Sequence, residues 1–224
     1  MGERSNLKKL LITIDGPAGA GKTTVSRMLA DRLGYRYIDT GALYRGVAHE
    51  IKSAGLQAED DAGLEKLCNH IQLSFSRIKG ETHLFSGNRD ITHKIRTPEI
   101  SMLASAVSAR PVVRAYLLKL QRALGDQKEA VFEGRDMGSV VFPDADLKFF
   151  LDAPPEIRAM RRYRELEGKN SQSLQDVKRD MLRRDTNDRT RAAAPLKAAR
   201  DAIVIDSNKL SAKEVVDLML SYIP

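Results

Sequence analysis

Short apolar runs rich in β-branched residues alternate along this chain with longer segments whose apolar residues recur at helical spacing. The runs at residues 10–14, 35–39, 130–133, 147–151 and 202–206 predict buried strands, and most of the chain between them predicts helices. Such alternation is typical of a parallel sheet covered by helices on both faces. We therefore expect an α/β fold whose ligands bind beyond the carboxyl ends of the strands.

The pattern changes to a period of two at residues 71–76 and 82–86, and a third short strand is expected at 89–92. Turn-like residues at 79–81 and 87–89 separate these segments. The alternation predicts a small antiparallel sheet, which we interpret as an insert in the parallel α/β chain.

Helix signals frame the rest of the chain. Thr97 is a natural N-cap and Pro98 fits the first helical position, and Pro111 starts the following helix in the same way. The Ser-x-x-Glu spacing at 211–214 is a capping box that opens the last helix. The remaining helices are expected at residues 25–33 (beginning at about 22), 41–54, 60–70, 155–167 and 173–184.

The segment after the first predicted strand fits G-x-x-x-x-G-K-[ST], the phosphate-binding P-loop, and a helix follows it. Its glycines let backbone N–H groups wrap an anionic phosphate chain, and the helix dipole points at the same phosphates. Lys22 is expected to reach the β- and γ-phosphates, and the Thr23 hydroxyl to hold Mg²⁺. The alternative is a simple glycine turn between a strand and a helix. The predicted phosphate-binding residues are Gly16, Pro17, Ala18, Gly19, Ala20, Gly21, Lys22, Thr23 and Thr24.

Composition narrows the class of protein. The 224 residues, 42% of them hydrophobic, suffice for one α/β domain with inserted modules, and no apolar run reaches membrane-spanning length. The N-terminus lacks the apolar region of a signal peptide. The single cysteine, Cys68, rules out an intrachain disulfide and fits a reducing cytosol. We expect a cytoplasmic protein with no membrane partner.

The net charge of +7 is unevenly placed, because residues 156–200 carry 13 Lys and Arg against 7 Asp and Glu. Such a segment is a solvated helix face, a nucleic-acid patch or a clamp for a polyphosphate. The P-loop favours the clamp. A nucleic-acid platform usually interleaves aromatic residues with its cations, whereas Tyr163 is the only aromatic residue here. We therefore expect no nucleic-acid partner.

Two polar segments follow predicted strands and so belong to the expected ligand edge. At 39–45 the Thr40 hydroxyl opens a helix, with Tyr44 and Arg45 one turn further on, which suits a second phosphoryl-bearing ligand. The alternative is an N-cap with a surface arginine. At 134–138 two glycines flank Arg135 and Asp136, a pair well placed for bidentate recognition. The alternative is a solvated, salt-bridged turn.

A third segment, residues 183–191, ends the basic helices and alternates cations with carboxylates and hydroxyls. In phosphoryl transfer, arginines neutralise the charge on the transferring group, and a closing lid excludes water. Taken alone, the segment is an exposed, charged helix end.

Together these segments resemble bacterial cytidylate kinases, members of the nucleoside monophosphate kinase family. The similarity rests on Gly-Pro-Ala-Gly-Ala-Gly-Lys-Thr-Thr at 16–24, Asp-Thr-Gly-Ala-Leu-Tyr-Arg at 39–45, Glu-Gly-Arg-Asp-Met-Gly-Ser-Val-Val-Phe-Pro at 133–143 and Arg-Asp-Thr-Asn-Asp-Arg-Thr-Arg-Ala at 184–192. It covers roughly residues 10–222. The 133–143 segment is much more specific than the P-loop, which many NTPases share.

The resemblance implies a P-loop core at 7–40, 101–155 and 200–224, a monophosphate-binding insert at 41–100 and a lid of basic helices at 156–199. It implies transfer of the γ-phosphoryl group of ATP, with Mg²⁺, to CMP or dCMP by a monomeric enzyme. It implies that Arg45, Arg135 and Arg191 hold the acceptor phosphate, that Tyr44 lines the pocket beside Thr40, that Ser105, Arg114 and Asp136 meet the cytosine edge, and that Arg184 and Asp188 lie at the sugar hydroxyls. Lys22, Arg135, Arg184 and Arg191 are the expected catalytic residues.

The chemistry of the bases agrees with this assignment. An aspartate accepts a hydrogen bond from the cytosine amino group, and an arginine donates to N3 and O2. Uracil reverses the pattern at C4 and N3, so CMP and dCMP are expected to be preferred over UMP. No strong general base is required, because the acceptor phosphate oxygen is already an anionic nucleophile.

Two positions depart from the family pattern. Thr40 stands where serine is familiar and keeps the hydroxyl. Glu133 stands where aspartate is common, and we assign it no contact because its side chain is longer.

Three alternatives stay open on the sequence alone. Another small P-loop kinase could act on UMP, AMP or a non-nucleotide acceptor. A GTPase switch needs an Asn/Thr-Lys-x-Asp block, and residues 208–211 lack its aspartate. A nucleic-acid-binding module is prompted by the pI of about 9.5 and predicts strongly salt-dependent binding.

Overall fold

The structure is a computed structural model that describes residues 9–166 and 172–223. Its strands are β1 Leu11–Asp15, β2 Arg36–Asp39, β3 Leu73–Ile78, β4 Glu81–Ser86, β5 Arg89–Asp90, β6 Ala130–Glu133, β7 Leu147–Asp152 and β8 Ile203–Asp206. Its α-helices are α1 Lys22–Leu33, α2 Thr40–Ser53, α3 Asp61–His70, α4 Pro98–Val107, α5 Pro111–Gly125, α6 Pro155–Leu166, α7 Leu174–Thr190 and α8 Ala212–Leu220.

Five strands form a parallel sheet in the order β2-β6-β1-β7-β8, and three form a separate antiparallel sheet in the order β3-β4-β5. The predicted α/β fold with an inserted antiparallel sheet is therefore confirmed. The central strand β1 is buried along its whole length, as its apolar composition requires. One hydrophobic cluster packs β1, β6, β7 and β8 against α1 and α8.

The parallel register aligns polar residues at the carboxyl edge of this sheet. Ile14 of β1 and Asp39 of β2 each lie opposite Glu133 of β6. Asp15 is the last residue of β1 and lies opposite Phe150 of β7. The side chains that end these strands thus share one edge, where both the P-loop and the residues after β6 begin.

The antiparallel sheet belongs to a second hydrophobic cluster. That cluster unites apolar residues of α2, α3, β3, β4, α4 and α5, from Ala42 to Leu117. The predicted boundary between insert and core, at residue 100, falls inside α4, whose Ile100 and Ala104 pack in this cluster. The division of the chain into core, insert and lid stays a prediction.

Most predicted helix signals are confirmed. The Thr97 hydroxyl accepts the Ile100 amide at 3.2 Å. Ser211 and Glu214 form both bonds of the capping box. The predicted C-terminal residue of the sixth helix, Glu167, lies outside the described residues, as do residues 7 and 8 of the predicted core.

Some predicted boundaries differ from the structure. The third antiparallel strand was expected at 89–92 but ends at Asp90. The seventh helix was expected to end at about residue 184, but α7 continues to Thr190 because Val177, Met181, Asp185 and Asp188 recur on one buried face. After β6, Met137–Val141 forms a short π-helical turn that the sequence did not predict. Within the described part of the chain, no helix combines the length and apolar character needed to cross a bilayer.

Candidate active site

The P-loop joins β1 to α1, and its glycines adopt backbone conformations that need the absence of a side chain. Gly16, Gly19 and Gly21 all have positive φ angles. A Cβ atom on Gly16 would lie 2.0 Å from the Leu151 carbonyl oxygen, so the loop lies directly against β7. Gly21 is the N-cap of α1 and carries no capping side chain, which leaves the first helical amides free for an anion.

Lys22 is the first residue of α1 and is 4% exposed. Its ammonium donates to the Pro17 carbonyl at 2.7 Å, across the loop. Burial, and then the charge of Arg135, lower the pKa of Lys22 to about 7, while Glu133 opposes the shift. Arg184 also lowers this pKa, so three cationic groups converge on one region at the P-loop. Such a cluster suits a polyanionic ligand.

Glu133 links the P-loop to β2. The Thr23 hydroxyl donates to Glu133 Oε1 at 2.9 Å, and the Tyr37 hydroxyl donates to Oε2 at 2.5 Å. The Thr40 hydroxyl donates to the Glu133 backbone carbonyl at 2.6 Å. Sequence reasoning assigned this side chain no contact. Its place at the end of a strand beside the P-loop was the signal that could have identified it.

Asp136 forms the centre of the second half of the site and is 2% exposed. It accepts hydrogen bonds from Arg114 of α5 and, at 3.4 Å, from Arg191. Arg191 also donates to the Ser108 hydroxyl at 3.1 Å, so the residue that follows α7 meets the end of α4. The Ser105 hydroxyl, one turn before Ser108 on α4, is buried without a hydrogen-bond partner.

Arg135 and Arg184 lie between these two halves. Arg135 donates to Asp188 of α7 at 3.0 Å. The Arg184 Nε atom is buried without a hydrogen-bond partner. Burial and the charge of Arg135 lower the pKa of Arg184 to about 10. A guanidinium held in this state has an unused donor and gains from an approaching anion.

Arg45 and Tyr44 come from the first turns of α2. Arg45 donates to the N-cap residue Asp39 at 2.8 Å, and Asp39 also accepts the Ala42 amide at 2.9 Å. Burial favours a raised pKa for Asp39, but Arg45 and the Ala42 amide together hold it below its ordinary value. Burial, and then the charge of Asp136, raise the pKa of Tyr44 to about 12, so its hydroxyl stays protonated.

A buried ion pair behind the P-loop was not predicted. Arg158 of α6 donates to Asp185 of α7 at 2.6 Å, to the Ala18 carbonyl at 3.0 Å and to the Ala153 carbonyl at 2.9 Å. It therefore joins α6 and α7 to the P-loop. The sequence did not identify Arg158, because nothing in it distinguishes this arginine from the many exposed cations nearby.

The predicted site residues whose contacts are described above form two groups in the structure. Lys22, Arg135 and Arg184 converge at the P-loop, and Thr23 meets Glu133. Asp136, Arg114 and Arg191 are joined by hydrogen bonds, with Tyr44 electrostatically coupled to all three. Arg135 and Asp188 connect the groups. The hydroxyl of Thr24 is exposed, and no contact of its side chain bears on the prediction.

The chain matches the cytidylate kinase family model over residues 12–224. The cytidylate kinase of Geobacter sulfurreducens is 49% identical over 96% of this chain and 92% of the relative. That of Halalkalibacterium halodurans is 40% identical over 97% of this chain and 98% of the relative. The predicted resemblance is thereby confirmed.

Solved structures agree on the fold. A gluconokinase from Sinorhizobium meliloti 1021 is 14% identical, with a TM-score of 0.50 over 95% of this chain and 90% of its own. An uncharacterized protein from Eubacterium ventriosum is 13% identical, with a TM-score of 0.53 over 96% and 98%. The match of sequence over nearly the whole chain decides the family: this chain belongs to the cytidylate kinases.

Proposed function

We propose that this chain transfers the γ-phosphoryl group of ATP to CMP or dCMP and so forms ADP and CDP or dCDP. The observation that carries the proposal is the pairing of Asp136 with Arg114 and Arg191 at the sheet edge that also bears the P-loop. A carboxylate between guanidinium groups presents one acceptor and several donors. Cytosine offers the complementary set, an amino donor beside the N3 and O2 acceptors.

The donor side consists of the P-loop and α1. The backbone N–H groups of residues 16–24, apart from Pro17, and the Lys22 ammonium bind the ATP phosphates. Lys22 now donates to the Pro17 carbonyl, an interaction that a phosphate oxygen replaces at little cost. Ligands of a hard cation are oxygens, and the Thr23 hydroxyl beside Glu133 fits Mg²⁺. Bound Mg²⁺ supplies positive charge to the phosphates, and Glu133 orients the Thr23 hydroxyl.

The acceptor side is built from α2, α4, α5 and the residues after β6. Arg45, Arg135 and Arg191 hold the phosphate of the monophosphate, and Tyr44 and Thr40 line its pocket. Ser105, Arg114 and Asp136 meet the cytosine edge, and the unpartnered Ser105 hydroxyl is available for that contact. Arg184 and Asp188 reach the sugar hydroxyls from α7.

Catalysis in this arrangement depends on alignment and charge neutralisation. The acceptor phosphate is an anionic nucleophile, so no side chain needs to remove a proton in the rate-determining step. Lys22, Arg135, Arg184 and Arg191 neutralise the charge that spreads over the transferring group. Arg184 lies on α7 and Arg191 directly follows it, and the lid helices α6 and α7 exclude water when both nucleotides are bound.

Further properties belong to the same proposal. The insert at 41–100 carries the acceptor, and the lid at 156–199 closes over both ligands. The protein acts in the cytoplasm as a monomer, with small nucleotides and not nucleic acids as its partners. A filter-binding titration with single-stranded and duplex nucleic acid should therefore show no binding at physiological salt.

The test is an ADP-release assay with ATP against CMP, dCMP, UMP and AMP. We expect kcat/KM for CMP and dCMP to exceed that for UMP by up to about 10⁴-fold, because uracil leaves the Asp136 carboxylate facing a carbonyl. Equal values for CMP and UMP would contradict the assigned base contacts. A preference for AMP would contradict the acceptor itself.

A further inference from the structure

The π-helical turn Met137–Val141 begins directly after Asp136, which occupies its N-cap position with φ −145° and ψ 21°. An aspartate at a helix start ordinarily turns its carboxylate back to accept the first amides of its own helix. Asp136 makes no such bond. Its two oxygens instead face Arg114 and Arg191.

A second aspartate, from another element, binds those amides. Asp15 ends β1 and is 3% exposed. Its Oδ1 accepts the Met137 amide at 2.9 Å, and its Oδ2 accepts the Gly138 amide at 2.8 Å. Both oxygens of one buried carboxylate therefore cap a turn that lies more than 120 residues further along the chain.

The turn packs closely enough on β1 to fix this geometry. The Gly134 amide donates to the Ile14 carbonyl at 3.1 Å. A Cβ atom on Gly138 would lie 2.9 Å from the Thr13 hydroxyl, so only glycine admits this approach. This close packing holds the carboxylate of Asp15 against the two amides.

We propose that Asp15 is a positioning residue for acceptor recognition: by capping the Met137–Val141 turn, it releases the Asp136 carboxylate to read the acceptor base. The inference rests on the proposed role of Asp136 and adds a specific cause for its orientation. Without Asp15, the amides of Met137 and Gly138 are buried and unpaired. Asp136 is then the nearest carboxylate on the same turn, and it swings back to cap them.

The P-loop next to Asp15 has its own supports, so the effect falls mainly on the acceptor. The Ser207 hydroxyl donates to the Ala20 carbonyl at 3.0 Å, and Arg158 donates to the Ala18 carbonyl at 3.0 Å. Gly16 lies against the backbone of β7. The charge of Asp15 also opposes the lowering of the Lys22 pKa. Loss of Asp15 should therefore raise KM for CMP by more than it changes KM for ATP.

A double-mutant cycle tests the inference with Asp15→Ala, Asp136→Asn and the combined variant. We expect each single change to raise KM for CMP, and to lower the CMP-over-UMP ratio of kcat/KM, by about tenfold or more. In the Asp136→Asn background, Asp15→Ala should add less than about twofold, because the side chain it releases is already altered. A crystal structure of Asp15→Ala should show the Asp136 carboxylate on the Met137 and Gly138 amides.

The matched control is Asp146→Asn. Asp146 Oδ2 accepts the Leu11 amide at 2.8 Å, so it is a carboxylate bound to the opposite end of the same strand. Its loss should lower stability and change KM for CMP by less than about twofold. If Asp15→Ala does not fold, Asp15→Asn keeps the shape and one acceptor and should show the same losses in smaller measure.

The outcomes distinguish base recognition by Asp136 from positioning by Asp15. If Asp136→Asn changes selectivity but Asp15→Ala and Asp15→Asn do not, the positioning role is refuted and base reading by Asp136 stands. Additive effects in the cycle, or equal effects of Asp15→Asn and Asp146→Asn on KM for CMP, refute it as well. If Asp136→Asn leaves selectivity unchanged, the proposed base contact fails and the positioning role fails with it.

Discussion

At the scale of single residues, Lys22 combines burial with four charged neighbours, two cationic and two anionic. The same desolvation that lowers its pKa to about 7 makes the free enzyme carry a largely neutral amine above that pH. A bound phosphate chain restores the charge, because an adjacent anion favours the protonated form. Ligand binding and proton uptake are therefore coupled at this residue.

We predict that ATP binding at about pH 8 takes up about one proton per site, because Lys22 passes from neutral to charged. Titration calorimetry in two buffers of different ionisation enthalpy measures the uptake. Lys22→Met should abolish it and should lower kcat by about 10²- to 10³-fold, the usual effect of removing one stabilising group from a charged transition state. Identical binding enthalpies in the two buffers would contradict the prediction.

Glu133 illustrates how one side chain serves two elements. It accepts from Thr23 in α1 and from Tyr37 in β2, so its carboxylate orientation is fixed from both sides. The proposed cation contact of Thr23 depends on this orientation, since groups behind a metal ligand orient it and tune its affinity.

We predict that Glu133→Gln raises the Mg²⁺ concentration needed for half-maximal binding of ATP by about tenfold or more. Equilibrium binding of ATP at graded Mg²⁺ gives the value without turnover. Tyr37→Phe is the matched control, because it removes only the bond on the far oxygen of Glu133 and should have a smaller effect. An equal effect of both variants would show that packing, not the Thr23 contact, is responsible.

At the scale of elements, the sequence predicted what depends on local pattern. Strand existence followed from β-branched runs, and the ligand edge followed from the parallel order, which placed Asp15, Asp39 and Glu133 together. The π-helical turn was not predicted, because the carboxylate that binds its first amides, Asp15, lies more than 120 residues earlier in the chain. The end of α7 was predicted too early, because a hydrophobicity pattern treats charged residues such as Asp185 and Asp188 as exposed, whereas both are buried.

The Arg158–Asp185 pair joins α6 to α7, and Arg158 also donates to the Ala18 carbonyl of the P-loop. Asp185 Oδ1 is buried without a partner. Removing one member of a buried pair leaves an uncompensated charge, so we predict that Arg158→Met lowers the free energy of unfolding by about 3–5 kcal/mol. Denaturant unfolding measures this loss. The double variant Arg158→Met with Asp185→Leu should recover part of it. A double variant less stable than the single one would refute this account.

At the scale of the whole molecule, one edge of the sheet carries the proposed donor and acceptor groups. The P-loop follows β1, the proposed acceptor residues follow β2 and β6, and α6 follows β7. Because β1 lies between β6 and β7, its last residue lies beside both of these strands. Asp15 occupies that position, so its ionisation affects both the proposed base recognition and the stability of the fold.

Burial raises the pKa of Asp15 from the ordinary 3.8 to about 6, against the amides of Gly138 and Met137, which lower it; Asp136 adds to the rise and Lys22 opposes it. The folded protein therefore binds more protons than the unfolded chain between these two values. The contribution to stability is complete below the unfolded value and is lost as the pH rises through the folded one.

We predict that the stability of the natural chain relative to Asp15→Asn falls by about 2 kcal/mol between about pH 4.5 and about pH 6.5, since each pH unit costs at most about 1.4 kcal/mol and less near either pKa. The other carboxylates are common to both proteins and cancel in the difference. Lys22 titrates mainly above this range. Denaturant unfolding of both proteins at several pH values gives the slope. The opposite slope would mean that Asp15 is held as a stabilised anion.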